Sequence, residues 1–204
     1  AERIEETKRI IDLAAEFGTK VVTTHIGVIP EDKKERRYAV MLNALTVCGL
    51  YATEKGVTLA IETRPERAKT LKAFLDDTKG GVGVNLDPAN FVMVTGQDPV
   101  EAVYLLKEYI VHTHAKDGVR LKENDALAVY HAFAVGGVEA LEACEGFKEV
   151  PLGEGQVDWK AYFAALCEID YDGFLTIERE TGKQPAEDIS VAANYIRMLL
   201  QEKV

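Results

Sequence analysis

Apolar positions along this chain follow two periods that alternate. Short Val-, Leu- and Ile-rich runs at 20–25, 57–62, 82–87, 110–115 and 173–178 predict strands covered by helices. Between them the spacing turns helical. Residues 2–17 carry Ile10, Ile11, Ala14 and Phe17 as a buried stripe, with Gly18 as the stop. A helix over 33–55 places Val40, Met41, Ala44, Val47, Cys48 and Tyr51 on one side, and Gly56 ends it. Further helices are predicted near 66–77, after the Asp98-Pro99 cap, and after Asp158, where Trp159, Tyr162, Phe163, Leu166 and Ile169 share a face. A last one starts at Pro185 and buries Ile189, Ala192, Tyr195, Ile196 and Leu199. The stretch from 117 to 157 breaks the alternation. Within it, 125–134 and 137–145 read as weakly helical parts of an excursion over the mouth of the sheet.

Strands alternating with helices imply a parallel sheet with right-handed crossovers. A closed (β/α)8 TIM barrel needs eight strands and about 250 residues, and this sequence of 204 shows five such runs. The expectation is an α/β fold of TIM-barrel type with about five βα units, one domain over 1–204, truncated at its N-terminus. Its first and last strands would then be unpaired edges, so a homo-oligomer covering them is expected.

Each strand run closes on a residue able to hold a divalent metal: His25 in VVTTHIG, Glu62 in TLAIETRP, Asp87 in GVGVNLDPAN, His114 in IVHTHAKD and Glu178 in GFLTIERE. A parallel barrel gathers its functional side chains at the carboxyl ends of its strands. Carboxylates and imidazole together suit Mn²⁺, with Mg²⁺, Co²⁺ or Zn²⁺ as alternatives.

Every one of these residues also has a bland reading. Glu62 can pair with Arg64, and Asp87-Pro88 is a common turn and cap. His112 and His114 alternate along a strand and so share a side; Lys116 and Asp117 follow, where a substrate's polar groups could be met. Glu180 shares a face with Glu178, while Arg179 points the other way. His25 is the weakest, a substrate contact or a hydrogen-bonded interior histidine. His131 reads as solvated or packing, and Trp159 and Tyr162 as core. The joint placement at strand exits is what chance would not produce.

A net charge of −10 argues against nucleic acid, whose binding rests on Lys and Arg neutralising phosphates. Cys48, Cys144 and Cys167 are odd in number and far apart, which reads as free thiols, those of Cys48 and Cys167 buried, in a reducing cytoplasm. No apolar run approaches the ~18 residues of a membrane span.

The segments His-Ile-Gly, Ile-Glu, Asn-Leu-Asp-Pro-Ala-Asn, His-Thr-His-Ala-Lys-Asp, Pro-Leu-Gly-Glu-Gly-Gln-Val-Asp-Trp and Tyr-Asp-Gly-Phe-Leu-Thr-Ile-Glu resemble, in order and spacing, the sugar phosphate isomerase/epimerase family of xylose-isomerase-like TIM barrels. The resemblance runs from residue 1 to the C-terminus. It implies that the first three βα units, roughly 70–90 residues, precede this stretch in the family. It also implies one divalent metal on Glu62, Asp87, His114 and Glu178, with Glu62 and Glu178 doubling as the acid/base pair. Many sugar epimerases place a substrate-contacting His where this chain has Asn90, and an Arg near the position of Arg120. The nuclease branch of the family needs extra His and Asp ligands, and Asn90 replaces one of them.

The expected function is therefore a metal-dependent isomerase or epimerase of a ketose or related sugar, working by proton transfer and a metal-stabilised ene-diolate. His25, Asn90, Lys116 and Arg120 are the candidate substrate contacts. The alternatives are an inosose-type dehydratase, which shares the enolising step, and a binding or structural barrel fragment without turnover.

Overall fold

A computed structural model describes residues 2–123, 125, 128–132, 135–137 and 145–201. In chain order the elements are α1 Glu2–Glu16, β1 Val21–Thr24, α2 Arg36–Glu54, β2 Thr58–Glu62, α3 Ala68–Asp77, β3 Val82–Leu86 and α4 Pro88–Asn90. A single π turn, Phe91–Thr95, follows and ends on Gly96 in the left-handed region (φ 65°). Then come α5 Pro99–Leu106, β4 Ile110–Ala115, β5 Asp117–Arg120, β6 Phe147–Val150, α6 Trp159–Glu168, β7 Leu175–Ile177 and α7 Pro185–Gln201.

The five main strands form one parallel sheet in the order β1-β2-β3-β4-β7. It is a curled half of a TIM barrel, the α/β partial barrel that the alternation predicts. Helices cover the convex face, where Leu59, Ile61, Val84 and Leu86 pack with Phe74, Leu106 and Phe163 in one core. The polar partners pack there too: Thr113 Oγ1 donates to Leu86 O at 2.7 Å and is hydrogen-bonded to the buried Tyr162 hydroxyl. Strand alternation sends the other set of side chains to the concave face. Glu62, Asn85, Asp87, His112, His114, Thr176 and Glu178 belong to that set, and their mutual contacts follow from it.

Three expectations change. The stretch after β4 is not simply irregular: β5 and β6 pair antiparallel, Asp117 opposite Val150 and Arg120 opposite Phe147. Its predicted helices over 125–134 and 137–145 lie partly outside the described residues. Helix stripes are narrower than the spacing suggested. In α1 Ile11 and Ala14 are buried while Ile10, and Phe17 just beyond it, are 48% and 81% exposed, because α1 packs mainly on α2 and β1. Val40 and Val47 of α2 and Ile189 of α7 are likewise exposed. Finally, Cys48 is buried but Cys167 is exposed, at the outer side of α6; Cys144 lies outside the described residues. Among the described residues no helix is long and apolar enough to cross a membrane.

Candidate metal centre

Four neighbouring strand ends deliver the cluster. Glu62 is the last residue of β2, Asp87 and Glu178 directly follow β3 and β7, and His114 lies near the end of β4. Each offers one donor atom, and these four atoms lie within 4.8 Å of one another. Donors bound at about 2.0–2.2 Å to one ion stand at most about 4.4 Å apart, so a closure of a few tenths of an ångström fits a single ion. His114 Nδ1 points between Asp87 Oδ2 (3.6 Å) and Glu178 Oε2 (3.5 Å). It is buried and has no hydrogen-bond partner. A buried imidazole nitrogen facing two carboxylates without a hydrogen bond is a group that could hold a metal ion.

Local sequence explains how each group is held. Asp87 is both cap and cluster member: its Oδ1 accepts from Asn90 N and its Oδ2 from Asn90 Nδ2, each at 3.1 Å. Asn90 Nδ2 also donates to Thr63 O at 3.0 Å. Asp87 N donates to Thr63 Oγ1 at 2.8 Å, which locks β3 to the end of β2. The π turn that begins one residue later is a local distortion of the kind common beside functional sites.

Charges around the cluster form a chain. Arg64 Nε donates to Glu62 Oε1 at 3.1 Å, and its Nη2 to Glu180 Oε1 at 3.3 Å. Lys116, 2% exposed, donates to Glu178 Oε2 at 2.9 Å and to Glu180 Oε2, with Glu149 Oε2 at 3.7 Å. Arg179 holds Glu149 and Asp188, each at 2.7 Å. Burial pushes the Glu62 carboxyl up to about 7, against the pull of Arg64. For His114 burial works against the charged ring, but the carboxylates of Asp87 and Glu178 outweigh it and raise the imidazole to about 10. Burial would raise Glu178 too; His114 and Lys116 beside it win and hold it well below the usual carboxylate range.

The remaining sequence-predicted residues divide. His25 Nε2 stands 3.6 Å from Glu62 Oε2, at the rim. Arg64, Asn90, Lys116 and Glu180 wall a cavity of about 590 Å³ that Met93, Val129 and Phe147 line with apolar surface. Arg120 does not join them. Its guanidinium donates to Thr95 O and Lys122 O at 3.3 and 3.2 Å, and it lines other cavities, with Gly96 and Thr95. His131 is exposed, as expected. Asp117 faces away from the cluster. The buried carboxylate accepts from Gly118 N, Gly153 N, Gly155 N, Val157 N and Trp159 Nε1 at 2.9–3.2 Å, and so shapes the 151–159 loop. Sequence reasoning missed Glu149 and Arg179 as members of the charge chain, because both reach it through the β5–β6 ribbon.

Comparison with known proteins agrees with this architecture. An inosose dehydratase from Clostridium botulinum (strain Alaska E43 / Type E3) is 27% identical over 180 residues, covering 83% of this chain and 55% of that protein. The chain spans about half the length of the curated relatives it matches. A xylose isomerase domain protein from Planctomyces limnophilus superposes with a TM-score of 0.78 at 28% identity, over 99% of this chain and 66% of that one. A D-tagatose 3-epimerase-like protein shares the fold, with a TM-score of 0.70 at 20% identity over 98% and 71% of the two chains. The family model of xylose isomerase-like TIM barrels matches residues 1–199, nearly the whole sequence, and the chain belongs to that family.

Proposed function

We propose that this chain carries the metal centre of a divalent-metal-dependent isomerase or epimerase acting on a ketose or a related sugar. The observation that carries the reading is the convergence of Glu62, Asp87, His114 and Glu178, with the buried Nδ1 of His114 unpartnered among them. Three carboxylates and one imidazole suit Mn²⁺, and Mg²⁺, Co²⁺ and Zn²⁺ share part of that preference. When bound, the ion supplies positive charge that polarises a ketone and its neighbouring hydroxyl. The residues do the rest. Glu62 and Glu178 come from β2 and β7, with β3 and β4 between them, and so flank whatever sits on the cluster. One takes a proton from the carbon beside the ketone, and the other returns one to the opposite face. Environments that push two carboxyl groups in opposite directions are what such a pair needs. Lys116, Asn90 and His25 are placed to meet substrate oxygens; Arg120, tied down elsewhere, takes no part in this reading.

A second reading, loss of water from an inosose-type ketone, is favoured by the name of the clostridial relative. It uses the same enolising step, and its product is distinguished by the missing water. The test common to both is thermal unfolding of the EDTA-stripped chain with added Mn²⁺, beside Asp87→Ala. Ligand at about 100 times its Kd stabilises by about 2.7 kcal/mol, a shift of roughly 5–10 °C for a domain this size. That shift is expected in the parent and absent in Asp87→Ala. No shift in either refutes the metal centre and leaves a binding or structural role.

A further inference from the structure

Asn85 is fully buried on the concave face of β3, and its carboxamide reaches the ring of His114. As placed, Asn85 Nδ2 lies 2.9 Å from His114 Nε2. That arrangement leaves two buried orphans, Asn85 Oδ1 and His114 Nδ1. It also has a chemical consequence. An amide N–H donating to Nε2 needs a lone pair there, so a neutral ring must carry its proton on Nδ1. A protonated Nδ1 cannot ligate a metal, yet Nδ1 is the nitrogen aimed between Asp87 and Glu178.

The oxygen and nitrogen of a carboxamide occupy nearly the same space, and the hydrogen bonds decide which is which. Turning the Asn85 amide by half a turn resolves the conflict. Oδ1 then accepts from Nε2–H over the same 2.9 Å separation, and the Nδ1 lone pair faces the cluster. The rotation gives Oδ1 a partner and the ion accounts for His114 Nδ1, while Asn85 Nδ2 takes the place Oδ1 held. A doubly protonated ring, which also carries a proton on Nε2, selects the same amide orientation.

We propose that Asn85 is a positioning residue: its side-chain oxygen holds Nε2–H of His114 and so presents the Nδ1 lone pair to the metal. The inference rests on the metal-centre reading above. It assigns to Asn85 the role that carboxylates or backbone carbonyls play behind metal-bound histidines, whose loss costs about 10–100-fold in metal affinity.

Two measurements test it. Mn²⁺ affinity is titrated calorimetrically for the parent, Asn85→Leu and Asn85→Asp. The leucine removes the acceptor at similar size, and the aspartate restores one. Asn85→Leu is expected to bind Mn²⁺ about 10–100-fold more weakly, with Asn85→Asp close to the parent. Equal binding by Asn85→Leu overturns the assignment. In parallel, long-range ¹⁵N–¹H spectra of the parent locate the His114 proton, with and without Zn²⁺ as a diamagnetic ion. A proton on Nε2 supports the role of Asn85. A neutral ring protonated at Nδ1 alone overturns it, even if no variant folds. A parent that binds neither ion overturns the metal centre itself, and the spectrum of the metal-free protein still decides what Asn85 does.

Discussion

Replacing Asp117 tests how the loop beside the cavity is built. The carboxylate is 1% exposed and accepts from five donors. Two of these, Gly153 N and Gly155 N, belong to residues at least partly open to water, and they find new partners when the carboxylate is removed. Gly118 N, Val157 N and Trp159 Nε1 belong to buried residues and do not. An unsatisfied buried donor costs about 1–3 kcal/mol, so Asp117→Ala should lose roughly 3–9 kcal/mol. Asp117→Asn keeps the shape but swaps one oxygen for an N–H₂ that faces other donors. Losing Oδ1 strands Gly118 N and Val157 N, and losing Oδ2 strands Trp159 Nε1 beside its two glycine neighbours, so we expect about 1–6 kcal/mol. At about 2–4 °C per kcal/mol for a chain of this length, Asp117→Asn should lower Tm by roughly 2–24 °C. The assay is urea unfolding followed by fluorescence, since Trp159 is the single tryptophan and its indole N–H is one of the five donors. An Asp117→Asn protein within about 0.5 kcal/mol of the parent, the range of a neutral surface change, with unaltered Trp159 emission, would refute the reasoning.

Other expectations concern the chemistry. Glu178→Gln is expected to keep the fold but abolish exchange of the substrate's α-proton with solvent, followed by NMR in deuterated water; retained exchange rules out its role in proton transfer. Metal affinity should depend steeply on pH. In the metal-free protein Glu62 keeps its proton up to about 7 and His114 up to about 10; both protons must leave before these groups can act as ligands. Apparent Mn²⁺ affinity therefore rises about a hundredfold per pH unit below about 7 and about tenfold per unit just above it. The sign for stability runs the other way. A raised carboxyl pKa means the fold binds that proton more tightly, so the metal-free chain loses what Glu62 contributes as pH climbs from its ordinary 4.5 to about 7. Calorimetric titration across that range checks the slope, and a flat profile contradicts the protonation states.

Much of the site was legible because alternation along a strand is a strong local rule. An acidic residue closing an apolar run must either pair or bind something, and Glu62, Asp87, His114 and Glu178 came together as that rule implies. The same rule, applied one residue further, separates Asp117 from Lys116: side chains at successive positions leave a strand on opposite faces. Grouping both as substrate-facing ignored it. The β5–β6 ribbon was hidden for a different reason. Asp117–Arg120 and Phe147–Val150 are short, and each depends on a partner far along the chain, which no local period records. Helix stripes failed in a third way. Spacing reports which residues could share a face, but the width of the buried part depends on the neighbours. For α1 the main neighbours are α2 and β1, so Ile10 and Phe17 stay exposed.

The charge chain around the cluster supports the metal reading proposed above. Glu62, Asp87, Glu149, Glu178, Glu180 and Asp188 carry six negative charges when ionised; Arg64, Lys116 and Arg179 return three positive ones. A surplus of three, largely out of water, is expensive unless something neutralises it. Without a metal the surplus is trimmed by protons, one on Glu62 below about 7 and one on His114 below about 10. Two protons and one divalent cation carry the same charge. Exchanging the pair for an ion therefore leaves the electrostatic balance of the surrounding arginines and lysine unchanged, so Arg64 and Lys116 need not rearrange when the metal enters. Arg64 holds Glu62 through Oε1, and Lys116 holds Glu178 through Oε2, the oxygen that His114 Nδ1 also faces. Both cations orient the carboxylates, and the proposed ion would sit among them beside His114 Nδ1, which faces Asp87 and Glu178 without a hydrogen bond.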